Sequence, residues 1–415
     1  MPEPNKTRLD ADDGGTPLAL FHPAVREWFA SVFSAPTRPQ SLGWPAIARG
    51  DSTLILAPTG TGKTLAAFLW CINRIMFSPA AASNETKRRC RVVYVSPIKA
   101  LAVDIERNLR VPVVGIAQAA QRLGVVYHEP EIAIRTGDTP PAERARFARH
   151  SADILITTPE SLYLLLTSNA RATLASAETI VVDEIHALVP TKRGSHLALS
   201  LERLEQLCGR RVQRIGLSAT QRPLEEVARY LGGCEAPAQA EAAFRSEEES
   251  GEAFAEFESA SFAPAYRPVT IVDASEPKRL DLRVEVPVED MAQLASIEPS
   301  DGTSSSRPAR PSIWSAIHPR LLELVRAHRS TLIFVNNRRL AERIAAAVND
   351  LAGETLVRAH HGSVAVTQRK EIEDLLKQGA LRGLVATSSL ELGIDMGAVD
   401  LVVQIESPPS VSSGM

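Results

Sequence analysis

Residues 57–64 read Ala57-Pro58-Thr59-Gly60-Thr61-Gly62-Lys63-Thr64 and follow directly on the apolar run Leu54-Ile55-Leu56. A buried strand, a glycine-rich turn and an apolar helix (Leu65 to Ile75) in that order predict a phosphate-binding loop in an α/β fold. The glycines let the backbone turn tightly, so that several N–H groups converge on one anion. Lys63 can then reach the outer phosphates, and the Thr64 hydroxyl suits Mg²⁺. Thr59, Gly60, Thr61, Gly62, Lys63 and Thr64 are therefore the expected cofactor-binding residues, with ATP and Mg²⁺ the expected cofactors. The strict pattern opens with Gly, and Ala57 stands there instead; the flanking strand and helix supply the context that the pattern alone lacks.

Further along, the β-branched run Thr179-Ile180-Val181-Val182 ends in Asp183-Glu184-Ile185-His186. Such a run reads as a buried parallel strand, and the C-terminal ends of these strands are where open α/β sheets place their chemistry. Asp183 would share the metal with Thr64, and Glu184 would orient the attacking water. Lys63, Asp183, Glu184 and His186 form the expected catalytic set. The competing reading is an acid pair that caps the next helix; the phosphate loop upstream weighs against it.

The bulk properties narrow the partners. The 415 residues carry 46 Lys+Arg against 49 Asp+Glu, a formal charge of −3, so there is no global basic field. Nucleic acid would have to be gripped by a local surface. Cys71, Cys90, Cys208 and Cys234 are far apart and without metal spacing, which fits reduced thiols in a cytoplasm. The polar start, Pro2 to Asp13, is no signal peptide, no apolar run is long enough for a membrane, and no protein partner can be inferred.

Alternation of strand and helix patterns divides the chain. Residues 1–15 read as disordered and 16–234 as one doubly wound lobe. Its strand candidates are Thr53–Leu56, Val92–Val95, Glu131–Arg135, Ile154–Thr157, Thr179–Val182 and Arg214–Leu217. Residues 235–311 read as an acidic, Ser/Pro-rich insert or linker. It contains strand-like runs at Val269–Val272 and Leu282–Val286, within 267–290. From 312 to 415 a second lobe resumes. Its expected helices are His318–Ala327, Arg338–Leu351 and Val366–Gln378, and its expected strands Thr331–Val335, Thr355–Ala359, Gly383–Thr387 and Asp400–Ile405. The fold class is a P-loop NTPase of two tandem lobes with parallel sheets.

That arrangement, in motif order over nearly the whole chain, resembles the superfamily 2 DEAD/DEAH-box helicases and their RecA-like lobes. The resemblance implies that Gln40, in Pro39-Gln40, reads adenine. It places strand contacts at Pro97 and Lys99 in Ser96-Pro97-Ile98-Lys99, at Thr136 and Gly137 in Arg135-Thr136-Gly137-Asp138, and at Thr158 and Pro159 in Thr157-Thr158-Pro159-Glu160. Ser218 and Thr220, in Ser218-Ala219-Thr220, would couple the nucleotide to the strand. In the second lobe Asn336, His361, Thr387 and Ser388 would contact nucleic acid, and Gly393 and Asp395 would face the nucleotide. The pair His360-His361 has no other metal ligand at a suitable spacing. The strings Thr191-Lys192-Arg193-Gly194-Ser195-His196-Leu197-Ala198-Leu199, Arg267 to Asp273 and Thr387 to Val399 are similar to the Lhr type, the large helicase-related proteins. That type implies ATP-driven, 3′-to-5′ movement on single-stranded DNA and unwinding of DNA or RNA–DNA hybrids.

In the family, Ser410 to Gly414 leads into a helix with a Gln-x-x-Gly-Arg-x-Gly setting, whose arginines reach the γ-phosphate. The sequence stops at Met415. It is therefore expected to be truncated in the second lobe and to hydrolyse ATP poorly, with the apolar face of Val399, Leu401, Val403 and Ile405 left exposed. The alternatives are a non-catalytic, nucleotide-gated clamp on single strands and a non-functional fragment.

Overall fold

The computed structural model describes residues 17–58, 60–78, 90–219, 223–235, 265–275, 281–286, 313–365, 368, 371–372, 374–375, 378, 380–387 and 399–408. The chain divides into two compact units, Met1–Glu276 and Pro277–Met415.

In the first unit a seven-stranded, all-parallel sheet has the order β3-β4-β2-β5-β6-β1-β7. The strands are β1 (Thr53–Leu56), β2 (Val92–Val95), β3 (Ile132–Arg135), β4 (Ile154–Thr157), β5 (Thr179–Val182), β6 (Gln213–Ser218) and β7 (Thr270–Asp273). Their short apolar runs are what a strand covered on both faces requires. Alternation along each strand assigns the residues to two cores. Ile55, Val92, Tyr94, Val181 and Leu217 pack with helices α1 (Pro23–Val32), α2 (Arg38–Ala48), α3 (Lys63–Phe77) and α4 (Lys99–Arg122). Leu54, Leu56, Val93, Val95, Ile180 and Val182 face α5 (Pro141–Arg149), α6 (Pro159–Leu166), α7 (Lys192–Cys208) and α8 (Leu224–Gly232).

The run expected within the linker at Val269–Val272 pairs in parallel with β1, Ile271 opposite Leu54, and closes the sheet as its last strand. Thr270 N–H donates to Ser52 O and Ala274 N–H to Leu56 O, both at 2.8 Å. The second strand-like run forms no strand. Leu282, Val284 and Val286 alternate as expected, but they are 85%, 86% and 65% exposed, because no partner strand or core lies against them among the described residues.

In the second unit a parallel four-stranded sheet has the order β11-β8-β10-β9. Its strands are β8 (Thr331–Phe334), β9 (Val357–His360), β10 (Gly383–Ala386) and β11 (Leu401–Gln404), with helices α9 (Trp314–Ala327) and α10 (Arg338–Ala352). Most of the helix expected over Val366–Gln378 lies outside the described residues. The face expected to stay bare is instead the inward one. Val403 and Ile405 join the core built on α9 and α10, Val399 joins a smaller cluster with Leu332 and Leu384, and Leu401 is partly buried. Val402, on the opposite face of β11, is 58% exposed. The period of two was right and the face was inverted. Among the described residues no helix is long and apolar enough to cross a membrane.

Candidate functional site

Because the strands of the first sheet are all parallel, the turns that follow them share one edge. The residues expected to face the nucleotide follow β1, β5 and β6, which are neighbours in the order β5-β6-β1. Gly60 and Gly62 adopt φ of 80° and 82°, and Gly62 begins α3. A Cβ on Gly62 would stand 2.7 Å from Gln40 Nε2, so both the turn and its neighbour require glycine. Thr61 Oγ1 donates to Pro58 O at 2.7 Å, which tightens the loop. Ala57 N–H donates to Ser218 O at 3.1 Å and so joins the loop to β6.

Lys63 is 6% exposed, and its Nζ has no hydrogen-bond partner among the described residues. Its nearest opposite charge is Glu184 Oε1 at 3.8 Å, an ion pair too long to be a hydrogen bond. Burying an ammonium costs on the order of several kcal/mol unless its donors are used. An ammonium buried at a helix N-terminus without a hydrogen-bond partner among the described residues is suited to an anion, and a phosphate fits it. Thr64, on the same first turn, and the carboxylates of Asp183 and Glu184 supply the hard oxygen donors that Mg²⁺ prefers.

Asp183 and Glu184 are each 5% exposed. Asp183 Oδ1 accepts from Glu184 N–H at 2.9 Å, and Oδ2 accepts from the Tyr94 hydroxyl. Glu184 has φ of 43°, the left-handed region that a branched or long side chain enters only under constraint. Burial, and next the charge of Glu184, push the Asp183 carboxyl up to about 6. Burial also raises Glu184, against the pull of Lys63. His186 Nδ1 lies 3.3 Å from Glu184 Oε2 and 3.4 Å from Ser218 Oγ. Burial, reinforced by Lys63, lowers this imidazole to about 4, so it is neutral at physiological pH. Gln40 is 3% exposed, and its amide is engaged at both ends. Oε1 accepts from Thr37 N–H at 2.9 Å, and Nε2 donates to Gly62 O at 3.5 Å.

The residues expected to contact a nucleic-acid strand follow β2, β4 and β3, the other neighbouring set. Lys99 Nζ reaches Asp138 at 2.6 Å beside Gly137. Arg144 holds the carbonyls of Gly137 at 2.6 Å and Thr139 at 2.7 Å. Thr136 N–H donates to Thr139 Oγ1 at 2.9 Å. Thr158 stands at the N-cap position of α6 and its hydroxyl donates to Ser161 Oγ at 3.2 Å, and Pro159 opens that helix. Arg193 bridges Pro97 O and Glu160, at 2.9 and 2.6 Å.

In the second unit, Asn336, His361 and Thr387 follow β8, β9 and β10. Asn336 Nδ2 donates to Glu406 at 3.1 Å, His361 Nε2 lies 2.7 Å from Glu342, and Thr387 N–H donates to His360 O at 3.3 Å. Thr59, Thr220, Ser388, Gly393 and Asp395 lie outside the described residues. Of the expected residues, Lys63, Thr64, Asp183, Glu184, His186 and Ser218 therefore meet at one end of the first sheet. Two participants escaped the sequence reading. Tyr94 is the one aromatic in Val92-Val93-Tyr94-Val95, and a hydroxyl inside so apolar a strand must find a partner. Arg193 lies within Thr191–Leu199, and nothing in its spacing indicates which turns it reaches.

Comparison with known proteins bears on the same arrangement. The DEAD/DEAH box helicase family matches residues 37–227, and the helicase conserved C-terminal domain matches residues 316–414. Over 97% of its length the chain is 46% identical to the Lhr helicase/probable uracil glycosylase of Mycolicibacterium smegmatis. The chain belongs to the Lhr-type DEAD/DEAH-box helicases. It is also 42% identical over 95% of its length to the Lhr helicase/uracil glycosylase of Escherichia coli. It spans 26% of the length of each of these two relatives. The structure of the Mycobacterium smegmatis helicase Lhr bound to ssDNA and AMP-PNP matches 96% of this chain and 46% of that one, at 48% identity and a TM-score of 0.73. The two sheets are thus the tandem RecA-like domains of this family.

Proposed function

We propose that this chain is the motor core of an Lhr-type helicase, binding ATP with Mg²⁺ and gripping a single nucleic-acid strand. The observation that carries the reading is the buried, hydrogen-bond-free Nζ of Lys63, set between two left-handed glycines and a buried carboxylate pair. Thr64 and Asp183 would hold the metal, which when bound neutralises charge on the phosphates. Glu184 would orient the attacking water, and the neutral imidazole of His186 would pass the state of that carboxylate to Ser218. Gln40 would support the loop and read adenine at its edge, and Gly393 and Asp395 would face the nucleotide from the second lobe.

The turns bearing Pro97, Lys99, Thr136, Gly137, Thr158 and Pro159 would hold strand phosphates through backbone N–H groups, hydroxyls and a lysine. Asn336, His361, Thr387 and Ser388 would do so from the second lobe. The related structure that holds ssDNA favours DNA as the strand, and an RNA–DNA hybrid is the proposed duplex substrate alongside DNA. We place the first lobe from residue 16 through β7 and the second from 312 to 415, in a cytoplasmic protein.

The 415 residues contain no Gln-x-x-Gly-Arg-x-Gly string. A polypeptide confined to them would bind ATP and strand but turn over at least about 10³-fold more slowly than one that also carries the arginine helix, by analogy with arginine fingers elsewhere. It would act as a nucleotide-gated clamp. Steady-state phosphate release with single-stranded DNA, compared between the two polypeptides, tests this. Equal rates contradict the clamp reading, and no strand-stimulated release from the longer one contradicts the helicase reading.

A further inference from the structure

We infer that Arg193 is a positioning residue that fastens two of the strand-gripping turns to the helix beginning just past the Asp183–Glu184 pair. The inference rests on the proposed reading of those turns as strand-binding. Arg193 lies in the first turn of α7. The start of α7 is fixed on the segment after the carboxylates. Thr191 Oγ1 donates to Leu188 O at 2.7 Å and accepts from Gly194 N–H at 3.1 Å. A Cβ on Gly194 would stand 2.1 Å from Leu188 O, so helix and turn touch backbone to backbone.

From that fixed point the guanidinium reaches out in two directions. Nη2 donates at 2.9 Å to the main-chain carbonyl of Pro97, in the turn after β2. Nε donates at 2.6 Å to Glu160, in the first turn of α6, directly after Thr158 and Pro159. Burial works against ionisation of Glu160, yet the hydrogen bond from Arg193 holds its carboxyl below the usual range. One planar fork thus sets the spacing between the turns after β2 and β4, which are neighbouring strands. It also links both to the segment that carries the nucleotide-side acids. A lysine has no fork with which to hold two acceptors at fixed angles. The arginine and glutamate side chains are 46% and 55% exposed, so the pair adds little to folding itself. Its effect should appear in strand affinity.

The test measures binding of fluorescent oligothymidylate over a salt series to the 415-residue polypeptide, wild type, Arg193→Gln, Arg193→Lys and Glu160→Ala, with nucleotide affinity as the folding control. Arg193→Gln and Glu160→Ala should each weaken strand binding by about 3- to 10-fold, the scale of one or two partly exposed charge-assisted hydrogen bonds. Their combination should add little further, because both break one link. Arg193→Lys should fail to restore affinity. The slope of log affinity against log salt should stay at the wild-type value. If Arg193 instead touched a phosphate, its loss would lower that slope by about 0.7, and Glu160→Ala would tighten binding by freeing the guanidinium. Either result, or unchanged affinity in Arg193→Gln, overturns the inference. A wild-type protein that binds no strand at all overturns the reading of the surface on which it rests.

Discussion

The Tyr94 hydroxyl donates its hydrogen bond to Oδ2 of Asp183, the carboxylate that the neighbouring Glu184 N–H holds through Oδ1. Tyr94 is opposite Val181 in the β2–β5 register, so its ring points along the face on which Asp183 lies two residues further on. Both oxygens of a fully buried acid are therefore oriented before any ligand arrives. Burial raises Asp183, and the Tyr94 hydrogen bond opposes that rise. Tyr94→Phe should push the carboxyl higher and weaken its hold on Mg²⁺. The Mg²⁺ concentration needed for half-maximal nucleotide binding should rise about tenfold or more, the worth of a hydrogen bond to a charged group. A magnesium titration with a fluorescent nucleotide reads the change, and an unaltered midpoint would show that the hydroxyl only fills space.

The same carboxyl should make nucleotide binding acid-sensitive. Burial holds the folded carboxyl at about 6, above the 3.8 of an ordinary aspartate, so it takes up a proton as pH falls through 6, and Mg²⁺ would then have to displace it. Magnesium-dependent nucleotide affinity should fall below that pH, and the fall should begin at higher pH in Tyr94→Phe. Affinity flat from pH 7.5 to 5 would rule out this account of Asp183.

His186 gives a pH effect on stability with a definite sign. Its folded pKa is about 4, against 6.5 for an ordinary imidazole. The unfolded chain therefore binds the proton first, so stability present above pH 6.5 is lost as pH falls toward 4. Asp183 acts oppositely over part of that window, because its folded form binds the proton first. Comparing the wild type with His186→Gln cancels the Asp183 contribution to the extent that its environment is unchanged. The variant should lose less melting temperature between those two pH values, and parallel curves would contradict a neutral, buried His186.

Gly62→Ala should disable the phosphate loop. At φ of 82° an alanine is strained, and its Cβ would meet Gln40 Nε2 at 2.7 Å. The left-handed conformation costs about 1–2 kcal/mol for a non-glycine residue. Displacing Gln40 would also loosen Thr37, whose N–H it accepts. Nucleotide affinity should drop at least about tenfold, a factor worth about 1.4 kcal/mol, while the fold persists by circular dichroism. Wild-type affinity in this variant would mean that the loop rearranges on binding.

The parts of the fold that depend on local pattern were legible. β1, β2, β4 and β5 occupy the residues the apolar runs indicated, because a strand covered on both faces needs an unbroken run. What failed needed information from distant residues. Val269–Val272 and Leu282–Val286 look alike as sequence. One finds the free edge of β1 and becomes a strand, while the other finds no edge among the described residues. The alternation in Leu401–Gln404 was visible, but which face meets α9 and α10 depends on where those helices pack. At the site, Lys63 opens α3 after the turn from β1, and Asp183, Glu184 and Ser218 sit at strand ends, so all four could be read from the motifs. Tyr94 and Arg193 act through side chains that cross to other elements, and one sequence carries no record of such pairs.

The buried ammonium of Lys63, without a hydrogen-bond partner among the described residues, is the proposed receptor for nucleotide phosphates. The decisive measurement is titration of a fluorescent ATP analogue with Mg²⁺ into the wild type, Lys63→Ala and Glu184→Gln. Saturable binding is expected for the wild type, retained binding for Glu184→Gln because Asp183 and Thr64 remain, and loss of binding for Lys63→Ala. Unchanged affinity in Lys63→Ala would contradict the proposed role of Lys63.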